Sequence, residues 1–449
     1  MAEARKPTDG IVDRAVRLGL RALGSFAGSK LAQQTGLSEL AQEALYLGTR
    51  TVVSTGNELG GRFAAVRSML PVQKLRRPEK KAELFFDLTF SDEQQMIGEM
   101  VESLALGTLR PVGKKADAGE EIGDAVFSRV METGIFGVTI PEALGGAAFE
   151  RSPVSVALIA EKLGYGDYAL ALRILSSISF INLISDFGSD AQRAKYLPAF
   201  AGKDYVQGTL AVMEPMLRFD VSKITAHAER SHSGYWLNGK KCMVIAGQKA
   251  DAVLLLAKLE GSGIQAFILE NNLPGISWRE ERNMGLGAAS LATLHLENAH
   301  VPADALLGET EQPFALDEFL DSSRIALAAL SVGTLKAAID YAVEYCNARE
   351  AFGEPITHRQ AVAFMLADMA TEYEALRLMV YRAASRSEQG LAYHREAYLA
   401  DLYSAKYSMS IATDAVQLLG GHGYTREHPV EMWYRHLRAS AILKGAITV

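Results

Sequence analysis

The spacing of apolar residues changes character twice along this 449-residue chain, and those two changes limit what it can fold into. From Leu88 to about Gly202, and again from Phe314 onward, apolar residues recur at three- and four-residue intervals, the period of an amphipathic helix. Between Val206 and about Leu307 they alternate or form short runs, as in Ile224-Thr-Ala-His-Ala-Glu229, Ala252-Val-Leu-Leu-Leu-Ala257, Gln265-Ala-Phe-Ile-Leu269 and Ala292-Thr-Leu-His-Leu296, which is strand patterning. Tyr235-Trp-Leu is read as a further strand ended by a turn at Asn238-Gly239. The expected fold is therefore α+β and multidomain. It has a basic helical extension and linker over 1–81, a helical domain over 88–205, a sheet or barrel-like domain over 206–307, and a helical bundle over 313–449. Ser91 or Asp92 is placed to cap the first helix of the body, because an acidic first turn follows it. Long helices are expected over 325–347 and 359–387.

Composition excludes several classes. With 49% hydrophobic and 22% charged residues, the chain has enough apolar surface for large cores. Residues 1–81 carry 14 Lys and Arg against 7 Asp and Glu, so a +7 segment precedes a body of charge −14, which argues against nucleic-acid binding by the body. Cys242 and Cys346 are the only cysteines, and the nine histidines have no ligand spacing, so neither a disulfide framework nor a metal site is expected. No apolar run reaches the ~18 residues of a membrane span. In Ile11-Val-Asp-Arg-Ala-Val-Arg-Leu-Gly-Leu-Arg-Ala-Leu23 the apolar and arginine positions fall on different helix faces. Three readings stay open for it: packing on its own protein, peripheral contact with an anionic membrane or partner, or a transit peptide, the last weakened by Glu3, Asp9 and Asp13. The expected location is cytoplasmic, membrane-peripheral if this helix touches lipid, or the mitochondrial matrix in a eukaryote.

Two C-terminal motifs carry chemistry. The first is Arg349-Glu-Ala-Phe-Gly-Glu-Pro-Ile356, followed by Gln360 and Phe364-Met-Leu-Ala-Asp-Met369; the second is Gln417-Leu-Leu-Gly-Gly-His-Gly-Tyr424. Together they resemble the acyl-CoA dehydrogenases, and the resemblance covers residues 88–449. Ile135-Phe-Gly-Val-Thr-Ile-Pro-Glu-Ala-Leu-Gly-Gly146 is similar to the segment that turns between helices in that family's first domain. The resemblance implies that Arg349 binds the FAD pyrophosphate, with Phe352, Gln360, Gln417, Gly420 and Gly421 around the dinucleotide. In the family these residues reach across a subunit interface to a flavin held mainly by the neighbour. A guanidinium suits a diphosphate because its planar fork donates two hydrogen bonds and keeps its charge. Glycines let the backbone come close.

The half of the site that a subunit keeps for its own flavin departs from the family pattern. Where the family has an aromatic residue, Thr and Ser along one strand, this chain has Leu210, Met213 and Phe219; where a second strand reads Trp-Ile-Thr, it has Met243-Val-Ile245. The family's catalytic Glu, in Glu-Gly-Thr, corresponds to Lys444 of Lys444-Gly445-Ala446. A family branch with its Glu on another helix corresponds to Ser323. Neither replacement is a base at neutral pH without help from its surroundings. Asp321, about 200° around the helix from Ser323, is read as a surface or capping acid. Arg435-His-Leu-Arg438 is read as a polar helix face.

Three functions remain open at this stage. The first is a catalytically impaired subunit that completes the FAD site of a catalytic paralogue in a hetero-oligomer. The second is an active FAD-dependent dehydrogenase, as a homo- or hetero-oligomer, that oxidises an acyl-CoA with a non-standard base and passes electrons to an electron-transfer flavoprotein. The third is a non-redox scaffold.

Overall fold

A computed structural model describes residues 89–147, 151–309 and 314–449. The helical extension and linker expected over 1–81 lie outside the described residues.

The body opens with α1 (Asp92–Leu104), capped by Ser91: the Gln94 N–H donates to Ser91 Oγ at 3.1 Å, and the Ser91 N–H donates to Gln94 Oε1 at 3.0 Å. This reciprocal pair is a capping box. A π-helical turn, Ala105–Leu109, joins α1 to α2 (Arg110–Asp117), and α3 (Asp124–Glu132) follows. Residues 135–146 turn through two short 3₁₀ segments. Then come α4 (Pro153–Gly166), α5 (Tyr168–Phe187) and α6 (Asp190–Phe200), whose N-caps Ser152, Asp167 and Ser189 each accept a backbone N–H.

Seven strands form one mixed sheet: β1 (Gly208–Ala211), β2 (His227–Arg230), β3 (Gly234–Val244), β4 (Ala252–Leu259), β5 (Gly263–Glu270), β6 (Ile276–Glu280) and β7 (Ala292–Pro302). The order is β1-β4-β2-β3-β7-β6, with β5 antiparallel to β4 on its other side. Strand β3 corrects one reading of the sequence, because Asn238-Gly239 does not turn the chain. It is a bulge where the register with β7 shifts, and β3 runs through it. Gly239 sits at φ 142°, and a Cβ there would lie 2.7 Å from Ala226, so backbones approach where a side chain has no room. Asn238 Oδ1 accepts the Asn298 N–H across the bulge at 2.8 Å.

The C-terminal part has four helices: α7 (Leu316–Ala348), α8 (Gln360–Glu388), α9 (His394–Leu419) and the short α10 (Val430–Leu437). Helix α7 packs against α4, α8 and α9. The approach to α4 is close: a Cβ on Gly333 would lie 1.8 Å from the Glu161 carbonyl oxygen, and one on Gly164 2.2 Å from that of Leu330. Both α5 and α7 are long and apolar enough to cross a membrane, although each is interrupted by polar residues. Within them, 94% and 83% of the apolar windows are buried in the body, so they serve as core helices here.

Candidate functional site

The two candidate base positions lie beside each other. Lys444 is not a solvated charge: it is part-buried, and its Nζ donates to both carboxylate oxygens of Asp401 on α9, each at 2.8 Å. The Lys444 N–H points to Met213 Sδ at 3.3 Å. Next to it, Gly445 donates its N–H to the buried Ser323 Oγ on α7 at 3.1 Å. Gly445 has φ 69°, and a Cβ would meet Val212 Cγ1 at 2.8 Å. Asp321 is corrected from surface acid to buried ion pair. It is 4% exposed, accepts from Arg324 at 2.5 Å, and faces His394 Nδ1 at 2.9 Å.

The edge on which a flavin of the chain's own would lie is apolar. Leu210, Met213 and Ile245 are buried, and Phe219 and Met243 are half-buried. None brings a side-chain hydrogen-bond donor. Thr209, one residue before Leu210, donates its hydroxyl to the Ile245 carbonyl at 2.6 Å. Behind this edge, Lys241 and Glu214 form a fully buried pair at 2.9 Å. Burial alone would push the Glu214 carboxyl up. Lys241 and the donors of Thr225 and Ala226 outweigh burial and hold it below the usual carboxylate value.

The residues expected to serve a flavin across an interface are displayed outward. Arg349, Phe352, Gln360, Gln417, Gly420 and Gly421 are all exposed. Arg349 follows the last turn of α7, its N–H donating to the Tyr345 carbonyl at 2.8 Å. Among the described residues its guanidinium has no partner. It leads into a hairpin of β8 (Glu350–Ala351) and β9 (Glu354–Pro355), whose two turn residues, Phe352 and Gly353, have φ 58° and 86°. Positive φ is ordinary for Gly353 and strained for an aromatic residue, and it leaves the Phe352 ring 95% exposed. Gln360 is the first residue of α8. Gln417 lies in the last turn of α9, which Gly420 ends at φ 57° and ψ −132°, a conformation open essentially to glycine alone. A Cβ on Gly420 or Gly421 would meet nothing within 4 Å, so both backbones face open space. An unpaired guanidinium, an exposed ring and open glycine backbone fit the diphosphate and rings of a dinucleotide such as FAD; the buried apolar edge offers that group no side-chain donor.

Arg435 and His436 are corrected from polar helix face to an inward-facing cluster in which His436 is buried and Arg435 half-buried. Arg435 Nη2 donates to Asp117 Oδ2 at 2.6 Å, and His436 Nε2 lies 3.0 Å from Asp117 Oδ1. Asp401 is the site residue that sequence reasoning missed. It lies 43 residues before Lys444, and nothing local in its helix marks it as the partner.

The described body matches family models of the acyl-CoA dehydrogenase N-terminal domain over residues 91–204, the middle domain over 209–299 and the C-terminal domain over 315–449. It is 34% identical over 361 residues to an acyl-CoA dehydrogenase of Bacillus subtilis (strain 168), covering 79% of this chain and 95% of that protein. It superposes on the butyryl-CoA dehydrogenase of Megasphaera elsdenii with TM-score 0.74 and 31% identity, covering 80% and 95% of the two chains. A solved structure of the electron transferring flavoprotein of Acidaminococcus fermentans matches with TM-score 0.75 and 33% identity, covering 80% and 95%. With all three domain models matched in order on one continuous helix, sheet and helix body, the chain belongs to the acyl-CoA dehydrogenases, a family of flavoprotein oxidoreductases of fatty-acid metabolism.

Proposed function

We propose that this chain is a catalytically impaired acyl-CoA dehydrogenase subunit that completes the FAD site of a catalytic paralogue in a hetero-oligomer. The observation that carries this reading is the contrast between the two halves of the composite site. The outward half offers an Arg349 guanidinium without a partner among the described residues, the strained and exposed Phe352, and open glycine backbone at 420–421. The inward half is apolar, and its base position holds a lysine bonded to Asp401. Leaving several buried flavin N and O atoms unpartnered costs about 1–3 kcal/mol each, against the ~8 kcal/mol of a micromolar complex. Random loss would not favour one half over the other.

The test is expression alone and with a paralogue that bears Glu-Gly-Thr. The chain alone is expected to be colourless and to co-purify with the yellow paralogue, and Arg349→Ala is expected to strip flavin from that complex. A chain that alone carries flavin bleached by an acyl-CoA would overturn the reading.

One observation favours a second reading, an active dehydrogenase with a non-standard base. Asp401 sets a carboxylate within hydrogen-bond reach of the side chain at the base position. In that case the chain alone reduces its flavin with acyl-CoA, passes electrons to an electron-transfer flavoprotein, and loses both activities in Asp401→Asn.

A further inference from the structure

The outward residues come from two separate stretches of chain, 349–360 and 417–421, and side chains outside both tie those stretches together. Tyr341 and Tyr345 lie four residues apart near the end of α7, so their phenols project from one face. The Tyr345 hydroxyl is 2.9 Å from His422 Nδ1, and the Tyr341 hydroxyl is 2.7 Å from His428 Nδ1. The two imidazoles stack, with centroids 5.5 Å apart and planes 13° from parallel, and the Tyr345 ring meets both of them edge-on. Tyr341 in turn packs edge-on against Trp433 of α10.

The ladder connects through Tyr345 to both stretches that face the flavin. Tyr345 holds His422 through its hydroxyl and Arg349 through its carbonyl, which accepts the Arg349 N–H at 2.8 Å. His422 directly follows Gly420 and Gly421. One residue therefore bonds both the stretch that offers the guanidinium and the stretch that offers glycine backbone.

We propose that Tyr345 and His422 are positioning residues for the outward half of the FAD site, with Tyr341 and His428 as a second rung. The Tyr345–His422 bond fixes the 420–424 turn relative to the end of α7, and the Tyr341–His428 bond supports it through the stacked imidazoles, so that Arg349 and the two glycines meet the dinucleotide as one preset surface. Presetting spares the binding step the cost of ordering two independent segments. This inference rests on the FAD-completing role proposed above.

The test is a double-mutant cycle on FAD affinity, measured by titrating FAD into the flavin-stripped complex of the full chain with its Glu-Gly-Thr paralogue. The variants are Arg349→Ala, Tyr345→Phe, His422→Ala and Arg349→Ala/Tyr345→Phe. Tyr345→Phe and His422→Ala are each expected to weaken FAD about five- to tenfold, the scale of one net hydrogen bond, with the melting temperature of the chain unchanged. The double variant is expected to lose less than the sum of the two single losses, because the Tyr345–His422 bond sets the glycine turn relative to Arg349 and part of that alignment loses its value once the guanidinium is gone. Full additivity, or unchanged affinity in Tyr345→Phe and His422→Ala, would overturn the inference while leaving the FAD-completing role intact. If Tyr345→Phe does not fold, Arg349→Ala/His422→Ala closes the same cycle. An Arg349→Ala complex that binds FAD normally would sink the FAD-completing role itself, and this inference with it.

Discussion

Lys444 holds both oxygens of the Asp401 carboxylate at 2.8 Å, so the position of the family's catalytic base is locked to helix α9 by an ion pair. Restoring the glutamate alone would remove that ion pair and add no flavin-edge donor, and Lys444→Glu sets two carboxylates against each other. The expected result is a loss of about 1–3 kcal/mol in thermal or urea unfolding, below the figure for a fully buried pair because Lys444 is a third exposed. Acyl-CoA should still fail to bleach any flavin. Adding Asp401→Asn should recover part of that stability, whereas a Lys444→Glu protein as stable as the parent would show that the pair contributes nothing.

Two carboxylates around His436, Asp117 half-buried and Asp167 buried, should respond to pH with opposite sign. Burial alone would raise Asp117, but hydrogen bonds from His436 and Arg435 outweigh it and hold the carboxyl well below the usual range. A depressed folded value means that the unfolded chain binds more protons in acid. The stability from Asp117 is thus present above the unfolded value of about 3.9 and is lost as pH falls toward the folded one. In Asp117→Asn the acid limb of melting temperature against pH should flatten.

Asp167 is fully buried and raised chiefly by that burial; one oxygen caps α5 by accepting the Leu170 N–H at 2.8 Å, and Oδ2 has no partner among the described residues. Here the folded state binds more protons, so stability falls as pH rises from the unfolded value of about 3.9 through the folded one. Asparagine keeps the cap without the buried charge. Asp167→Asn is expected to melt higher than the parent at pH 7.5, with the gap closing by about pH 4; a lower melting temperature at pH 7.5 would show that the charge itself is needed.

What could be read in the sequence depended on how far apart the interacting residues lie. The helix, sheet and helix order was legible because burial of one face imposes a period on consecutive residues, and the Ser91 cap because its partner Gln94 is three residues away. Asn238-Gly239 misled because a bulge and a hairpin turn both call for glycine, and only the β3–β7 pairing separates them. Asp321 reads as a surface acid because nothing local shows that its helix face is covered by His394, 73 residues away, and Asp401 carries no mark because Lys444 lies 43 residues further on. The motif at 349–360 could be recognised, but the tie from Tyr345 to His422 crosses 77 residues and leaves no local signal.

The α4–α7 contact should be among the least tolerant in the body. Gly333 leaves no room for a methyl group, since its Cβ would stand 1.8 Å from the Glu161 carbonyl oxygen and 2.6 Å from the Tyr165 N. Both are helix backbone, which cannot rotate away as a side chain would. Gly333→Ala is expected to destabilise by about 3 kcal/mol or more, although alanine is the better helix former by about 1 kcal/mol. Urea unfolding checks this, and a neutral result would mean that the two helices separate at little cost.

Met213 gives the sharpest test of whether the inward flavin edge can be restored. It is buried, its sulfur accepts the Lys444 N–H at 3.3 Å, and it stands where the family has the threonine that hydrogen-bonds the flavin ring. Met213→Thr returns one hydroxyl but removes apolar volume from a packed site, so it should cost about 1–3 kcal/mol of stability. One regained hydrogen bond contributes about 1 kcal/mol, which leaves the hydroxyls replaced by Phe219 and Ile245 still missing. The Met213→Thr chain expressed alone is therefore expected to remain colourless near 450 nm. Flavin retention by this single variant would show that the apolar edge lacks only that one donor, and the chain's own site would then have to be counted as recoverable.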